Sequence, residues 1–212
     1  MARSGQIRPP VLRTTLPDTD SPQLDDDADL SEIAVKNQDF ADASATGVHF
    51  DTVRLTHTSL ARARLARADF QDVVCTACDL SASAFDAPTF TRVELHGSTL
   101  VGARFTDGRF TDVRFVDCKI ELAAFWQARF TRVTFERCKL READFHGADL
   151  GHALFKECDL ALSNWADAKL KGTDVSTSDI NGIKIGTPAM VGLVVNQTQA
   201  VALAKTFGLV VV

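Results

Sequence analysis

The chain has 212 residues, a formal net charge of −5 and an apolar content of 45%, figures that are typical of a single globular domain. It contains no run of 18 apolar residues, so the sequence predicts no membrane-spanning helix and no membrane partner. Positive and negative charges are close to balanced, with 23 Lys and Arg against 28 Asp and Glu, and we expect no direct binding to nucleic acid.

Residues 1–27 differ in composition from the rest of the chain. They combine four prolines with Arg3, Arg8 and Arg13 and with a run of aspartates. An apolar segment of the kind found in signal peptides is missing from them. We therefore predict a disordered or loosely attached N-terminal tail and a cytoplasmic protein.

From Leu30 to Ile185, a large apolar residue recurs at almost every fifth position. The register covers 32 consecutive positions and includes thirteen of the 14 Phe residues. A period of five is neither the helix period of 3.6 nor the strand period of two. The pattern therefore indicates a repeat architecture.

The position two residues before each large residue is small in most repeats. The unit is thus small–polar–large–polar–polar, with two inward positions in five. Such a unit fits a chain that turns a corner after each pentad, so that four pentads close one square coil. About eight such coils, stacked at ~4.8 Å, predict a rod of roughly 38 Å in which each coil contacts only its neighbours. The exceptions at the small position are Ile33, Gln38, Pro88 and Ile183.

Three runs of sequence, Ala-Asp-Phe-Gln-Asp (68–72), Ala-Asp-Phe-His-Gly (143–147) and Ala-Asp-Leu-Gly-His (148–152), resemble the pentapeptide repeat family, whose pattern is A(D/N)LXX. The resemblance implies an all-β fold, a right-handed quadrilateral β-helix, which we place at residues 28–187. The handedness is implied by the resemblance alone.

Large residues that occupy the same place in successive coils should form ladders inside the rod. Two of these ladders are aromatic, and stacked rings contribute about 0.5–1.5 kcal/mol per pair beyond the area they bury. We interpret them as core and not as a ligand pocket. The predicted core aromatic residues are Phe50, Phe70, Phe90, Phe110 and Phe130 in one ladder, and Phe105, Phe125 and Phe145 in the other.

After Ile185 the register stops, and residues 188–212 are predicted to cap the rod. Asn196 is a good N-cap with Gln199 as its capping-box partner, and Gly208 suits the end of a short helix. The apolar content of this segment favours a twofold, end-to-end homodimer. The expected interface residues are Val201, Leu203, Phe207, Leu209 and Val211.

This C-terminal segment also resembles the dimerisation module of the pentapeptide repeat proteins that protect DNA gyrase from quinolones. In those proteins a Gln-Ala-rich helix is followed by a Gly-Leu-Val ending. The corresponding residues here are Gln199, Ala200, Ala202, Leu203, Gly208, Leu209 and Val210.

No catalytic constellation is evident, and we expect a protein that is not an enzyme and has no cofactor or metal. His146 and His152 lie near Asp144 and Asp149, which allows either a metal or acid–base site or a chance meeting of surface residues. The cysteines at small inward positions allow either a metal or disulfide column or simple buried thiols. These are Cys78, Cys118, Cys138 and Cys158, while Cys75 takes a large inward position.

Charge is unevenly distributed along the chain. Between Asp18 and Asp51, ten acidic residues face a single Lys36. The most negative face of the rod contains Asp39, Asp42, Asp79 and Asp159, which we single out as candidate partner-binding residues. A mixed-charge surface that only keeps the rod soluble is the alternative.

Trp126 follows the inward Phe125 and should face solvent or a corner. It is either a hot spot for a protein partner or a side chain lying flat on its own coil. The family resemblance implies a dimeric DNA mimic that binds DNA gyrase or topoisomerase IV and protects it from quinolones or natural-product gyrase poisons. The alternative is a non-enzymatic scaffold rod with an unrelated partner.

Overall fold

The computed structural model describes residues 6–19 and 22–211 of the chain; the rest of the predicted tail and Val212 lie outside the described residues. Within them, the chain winds into a parallel β-solenoid in which, from Asp29 onward, paired residues are 20 positions apart. The offset first appears in regular strands at Asp29↔His49 and last as a single bridge at Asp174↔Val194. The strand-bearing part makes about six turns, and single bridges carry the winding further.

The strands belong to two parallel sheets on the faces of the rod. The larger sheet has the order β1-β4-β6-β8-β10-β11-β12, with β2 also on β4, and the smaller has the order β3-β5-β7-β9. The strands are β1 (Asp29–Ser31), β2 (Ala34–Lys36), β3 (Ser44–Thr46), β4 (His49–Thr56), β5 (Arg64–Ala66), β6 (Asp69–Thr76), β7 (Ala84–Asp86), β8 (Thr89–His96), β9 (Arg104–Thr106), β10 (Arg109–Val116), β11 (Arg129–Glu136) and β12 (Leu154–Lys156).

Nearly every corner of the coil is made by one residue in the left-handed backbone region. This residue comes two positions after the large inward one, and it is often not glycine: φ is 57° at Arg62, 52° at Ala77 and 58° at Leu122. L-residues avoid this region because Cβ approaches the following carbonyl oxygen. Hydrogen bonds to the next coil hold the corner in place, as from the Ala77 N–H to the His96 carbonyl at 2.9 Å.

The rod is filled by the two inward columns, as the five-residue period predicts. Phe110 stacks on Phe90 and Phe130, with ring centroids 5.0 and 4.9 Å away. It also meets Phe105 and Phe125 edge to face, each at 5.8 Å. The ladders therefore touch one another as well as stacking along the axis. Buried with Phe110 are Phe50, Phe70, Phe90, Phe105, Phe125, Phe130 and Phe145.

The C-terminal end is closed by a short 3-10 helix (Thr187–Met190) and by helix α1 (Gln197–Thr206). Asn196 caps α1, and the Asn196–Gln199 capping box is complete. The buried Gln199 amide also donates to the carbonyls of Val175 and Ser178, at 2.8 and 2.7 Å. One side chain thus begins the helix and satisfies two carbonyls of the last coil.

At the other end, residues 17–19 add to the edge of β2. The Ala34 N–H donates to the Pro17 carbonyl at 2.8 Å, and the Thr19 N–H donates to the Ala34 carbonyl at 3.0 Å. Leu24 is buried in the core cluster. In the described part of the chain, every helix is too short or too polar to cross a membrane.

Candidate interaction surfaces

The candidate acidic residues Asp39, Asp79 and Asp159 lie in one column of paired residues that runs from Asp39 to Asp179 along the rod. We call it the aspartate column. Each of the three candidates accepts the backbone N–H of the residue two positions later, at 2.9, 2.9 and 3.0 Å. A carboxylate in this role closes an Asx turn at the corner. Lys119 and Lys139 occupy the middle of the same column, so the negative charge is concentrated toward the two ends of the rod.

Asp42 stands on the neighbouring corner and is paired with the next coil. Its carboxylate accepts from Arg62 Nε at 2.8 Å and from Arg62 Nη2 at 2.7 Å. The hydrogen bond from Arg62 holds the pKa of Asp42 below its ordinary value. Asp42 therefore lies outside the column of the other three aspartates, and its charge is matched by Arg62.

Trp126 is partly exposed, at 41% of its full surface, and Leu122 is more exposed, at 58%. Leu122 is the corner residue that precedes Trp126. Trp126 lies four residues later, immediately before the next corner residue. The Trp126 carbonyl accepts the Asp107 N–H of the preceding coil at 2.9 Å. The Trp126 side chain is therefore partly accessible to a partner.

Arginines cluster on the faces around Trp126. Arg64 and Arg104 lie two coils apart in one column, both linked through Ala84. Arg109 and Arg129 are direct neighbours in the larger sheet, and all four side chains are exposed. These arginines lie on faces other than the one that carries the aspartate column, and the same two columns also contain Asp69, Asp144 and Asp149.

The C-terminal end carries a continuous apolar surface. A cavity of about 430 Å³ there is lined by Met190, Leu193, Leu203, Phe207 and Leu209, among other residues. Of the predicted dimer-interface residues, Leu203 is buried in its own chain and Val201 is half-buried. Three are exposed: Phe207, Leu209 and Val211.

Residues 6–13, which we call the N-terminal strap, lie along the outside of the rod. The Arg8 N–H donates to Asp112 Oδ1 at 3.1 Å, and the Val11 N–H donates to Asp72 Oδ1 at 2.9 Å. The Arg13 guanidinium pairs with Glu32 at 2.7 Å. The strap therefore crosses several coils, and it runs along the rod axis in the direction opposite to that in which successive coils advance.

Both aspartates under the strap are also held by arginines of the next coil. Asp72 accepts from Arg92 at 2.7 and 2.6 Å, and Asp112 accepts from Arg132 at 2.6 and 2.8 Å. Burial alone would raise the pKa of Asp72, but the hydrogen bonds from Arg92 and Val11 outweigh it and the pKa is lowered. The hydrogen bond from Arg132 is the main cause of the lowered pKa of Asp112.

This covered corner was not among the sites predicted from the sequence. A signal is present in the alternation of Asp72, Arg92, Asp112 and Arg132, each of which lies four pentads after the one before. The interval identifies a column of opposite charges, but the sequence does not show that a proline-rich segment lies over it.

All five cysteines are free and buried. Contact with the Cys138 thiol and burial both raise the pKa of Cys118 and of Cys158, so these groups are neutral thiols. Over residues 6–19 and 22–211, no group of three His, Cys, Asp or Glu side chains has an arrangement suited to a metal ion.

Comparison with known protein families confirms the five-residue repeat. The family described as "Pentapeptide repeat region" matches residues 68–145, 88–165 and 108–185, more than half of the chain, and "Pentapeptide repeats (8 copies)" matches residues 39–72 and 49–86. No match was found among curated protein sequences.

Several solved structures are similar in fold. HetL, a pentapeptide repeat protein involved in heterocyst differentiation regulation from the cyanobacterium Nostoc sp. strain PCC 7120, is 16% identical over 75% of this chain and 85% of its own, with a TM-score of 0.47. QnrB1, a plasmid-mediated fluoroquinolone resistance protein, is 20% identical over 93% of this chain and 97% of its own, with a TM-score of 0.45. Rfr23 from the cyanobacterium Cyanothece 51142 is 13% identical over 81% and 90%, with a TM-score of 0.28. On the strength of the repeat matches, the chain belongs to the pentapeptide repeat family.

Proposed function

We propose that this protein binds a type II DNA topoisomerase, DNA gyrase or topoisomerase IV, as a dimeric rod that occupies the place of DNA. Acting in the cytoplasm and without catalysing a reaction, it protects the enzyme from quinolones or natural-product gyrase poisons. The observation that carries the proposal is the uninterrupted rod that ends in an exposed apolar cap. Two such rods, each of roughly 38 Å, joined end to end with their caps, reach about 80–100 Å, the length of about 25–30 base pairs.

In the proposed dimer, the charge distribution supports the role as a DNA mimic. Asp159 and Asp179 are the last residues of the aspartate column before the cap. A twofold axis through the cap brings these two aspartates of each protomer to the centre of the dimer. The centre of the rod then presents negative charge to the basic DNA-binding surface of a topoisomerase.

A supercoiling and DNA-cleavage assay with gyrase, with and without a quinolone, tests the proposal. We expect the protein to restore supercoiling in the presence of the drug, or to inhibit the enzyme without it. No effect on gyrase or topoisomerase IV with any drug of this class would contradict the proposal.

Neutral variants test the role of the aspartates without disturbing the corners. Asn164 closes its turn as the aspartates do, accepting the Ala166 N–H at 3.2 Å, so an Asp→Asn change keeps the fold. Asp39→Asn, Asp79→Asn and Asp159→Asn together should weaken the effect on gyrase and reduce its dependence on salt. Asp144→Asn, which alters a turn of the same kind on another face, is the control.

The exposure of Trp126 favours a second candidate, a scaffold rod that binds another protein through this residue. Trp and Arg are enriched in binding hot spots; the exposed Arg104 pairs with Ala124, two residues before Trp126, and the exposed Arg129 follows three residues after it. If Trp126→Ala abolishes binding to a partner while the three Asp→Asn changes leave it intact, the second candidate replaces the first.

A further inference from the structure

The spacing of the strap matches the spacing of the corner beneath it. Asp72 and Asp112 occupy the same corner column two coils apart, which is ~9.6 Å at the strand spacing of ~4.8 Å. The two backbone donors that reach them belong to Arg8 and Val11, three residues apart. In a polyproline II helix, three residues make one turn and advance ~9.3 Å. Donors three residues apart on such a helix therefore meet acceptors two coils apart on the rod.

The residues between the two donors are Pro9 and Pro10. Proline fixes φ in the range of the polyproline II helix and restricts the residue before it to extended conformations. Proline also lacks an N–H, so the only backbone donors of this turn are those of Arg8 and Val11. The Arg-Pro-Pro-Val sequence is thus preorganised to donate its two backbone N–H groups to the two carboxylates.

The acceptors are held in place independently of the strap. The Asp42–Arg62 and Asp117–Arg137 pairs show the same two-pronged contact between coils on other corners. Their carboxylates are exposed, at 65% and 55%, whereas those of Asp72 and Asp112 are 8% and 3% exposed. The difference between these otherwise similar pairs coincides with the presence of the strap.

An apolar contact adds to the two hydrogen bonds. Ile7 and Pro9 line a cavity of about 440 Å³ together with Leu154 and Thr134 of the neighbouring face, and its rim carries the charged residues Glu94, Arg114, Glu136 and Lys156. Although Thr134 points outward from its coil, it is buried. The surface thus combines one apolar contact region with two fixed carboxylates at a defined distance.

We propose that the Asp72–Asp112 corner column is a binding site for a peptide in the polyproline II conformation, with an apolar residue followed by X-Pro-Pro-X. Residues 7–11 are its built-in occupant, and a proline-rich segment of a partner protein binds the same two carboxylates when the strap leaves. Tethering raises the local concentration of the strap to about millimolar, so the strap is the occupant in the absence of a competitor.

A binding assay in trans tests this site. A sequence for a site-specific protease, inserted between the exposed Thr14 and Thr15 of the full chain, allows the strap to be cut and removed after folding. A fluorescent peptide spanning Gln6 to Arg13 is then added, and its anisotropy is measured. We expect saturable binding, and a loss of at least tenfold in affinity when Pro9 and Pro10 of the peptide are both replaced by Gly.

Matched variants of the rod identify the acceptors. The double change Asp72→Ala and Asp112→Ala should weaken peptide binding at least tenfold. Asp42→Ala with Asp117→Ala removes the same kind of pair from uncovered corners and should change affinity less than twofold. The absence of saturable binding to a folded, cut rod, or equal binding by the two double variants, overturns the proposal.

A second measurement applies if circular dichroism shows that the cut rod loses its fold. Hydrogen exchange of the intact chain should then show slow exchange for the amides of Arg8 and Val11. This protection should be kept in the Asp42→Ala, Asp117→Ala variant and lost in the Asp72→Ala, Asp112→Ala variant. Equal protection in both variants overturns the proposal as well.

Discussion

At the scale of single residues, side chains without an evident role in the sequence have structural roles in the rod. Aspartates such as Asp79 close the turn that follows them. Residues such as Ala77 and Leu122 take a left-handed backbone conformation that glycine or asparagine usually adopts. The repeat therefore specifies conformation as well as burial at each of its five positions.

The corner at Ala77 offers a test in which glycine should stabilise. An L-residue in the left-handed region is disfavoured by about 1–2 kcal/mol, whereas the greater freedom of unfolded glycine costs about 0.5–1 kcal/mol. We expect Ala77→Gly to raise the free energy of unfolding by about 0.5–1 kcal/mol in urea denaturation. Ala84→Gly, in strand β7, should lower it by a similar amount, and a loss of stability in both variants would contradict this account.

The aromatic ladder offers a second test at this scale. Phe110 is buried among five other phenylalanine rings, so Phe110→Ala should cost about 3–5 kcal/mol of unfolding free energy. The adjacent exposed Arg109→Ala should change it by less than about 0.5 kcal/mol. Chemical denaturation measures both, and a cost of only about 1 kcal/mol for Phe110→Ala would show that the ladder is loosely packed.

At the scale of elements, the rod is completed by segments outside the repeat. Helix α1 closes one end through Gln199, and the strap covers one corner through the carboxylates of Asp72 and Asp112. Both segments attach by hydrogen bonds to groups of the coils. Helix α1 supplies a donor to buried backbone carbonyls, and the strap covers carboxylates that would otherwise be exposed. Each attachment depends on few contacts, so each can be removed by a small change.

Attachment of the strap should depend on pH. The pKa values of Asp72 and Asp112 are lowered in the folded protein, so their stabilisation is present above the ordinary pKa of about 3.9 and is lost as pH falls through the lowered values. We expect hydrogen exchange in residues 6–13 to be slow at neutral pH and to accelerate on acidification below about pH 4, relative to the intrinsic rate. With Asp72→Asn and Asp112→Asn, protection should be weaker and should not change over this range.

The cap should depend on Gln199. Gln199→Ala removes the capping-box partner and takes its donor from the Ser178 carbonyl, at about 1–3 kcal/mol for a buried unsatisfied group; the Val175 carbonyl keeps the Ser178 N–H at 2.9 Å. Hydrogen exchange within α1 should accelerate accordingly, while the exposed Gln197→Ala should have little effect. Unchanged exchange in Gln199→Ala would mean that the apolar contacts of Leu203 hold the helix alone.

At the scale of the whole molecule, charge and apolar surface are segregated along and around the rod. The aspartate column is interrupted by lysines in its middle, arginines gather on the faces around Trp126, and the C-terminal end is apolar. A rod of this kind has several distinct surfaces that can be tested one at a time.

The proposed dimer is tested at this scale. Leu209 is 62% exposed and Val211 is also exposed, so Leu209→Asp with Val211→Asp should place charge in the apolar interface and give a monomer. Light scattering measures the mass, and Ala87→Asp at a mid-rod corner serves as the control. A wild-type protein that has the mass of a single chain would contradict the dimer.

The sequence predicts the rod well because its core repeats. Phe110 and its neighbours recur at a fixed interval, and the spacing of four pentads between paired positions follows from the five-residue unit. The strap cannot be predicted in this way, because Pro9 and Pro10 are not part of the repeat. The residues that the strap contacts, Asp72 and Asp112, also lie far along the chain. The surfaces are also poorly predicted, since a carboxylate that closes a turn, like that of Asp79, has the same letter as one that binds a partner.

The strap has a consequence for how the rod unfolds. Contacts between coils join residues about 20 positions apart, so each coil is coupled to its neighbours, and a rod built in this way can fray from its ends one coil at a time. The strap contacts join residues 61 and 104 positions apart and span coils that do not touch each other. It thereby ties the loss of one coil to the loss of others, and makes this region unfold more cooperatively than its repeat alone would allow.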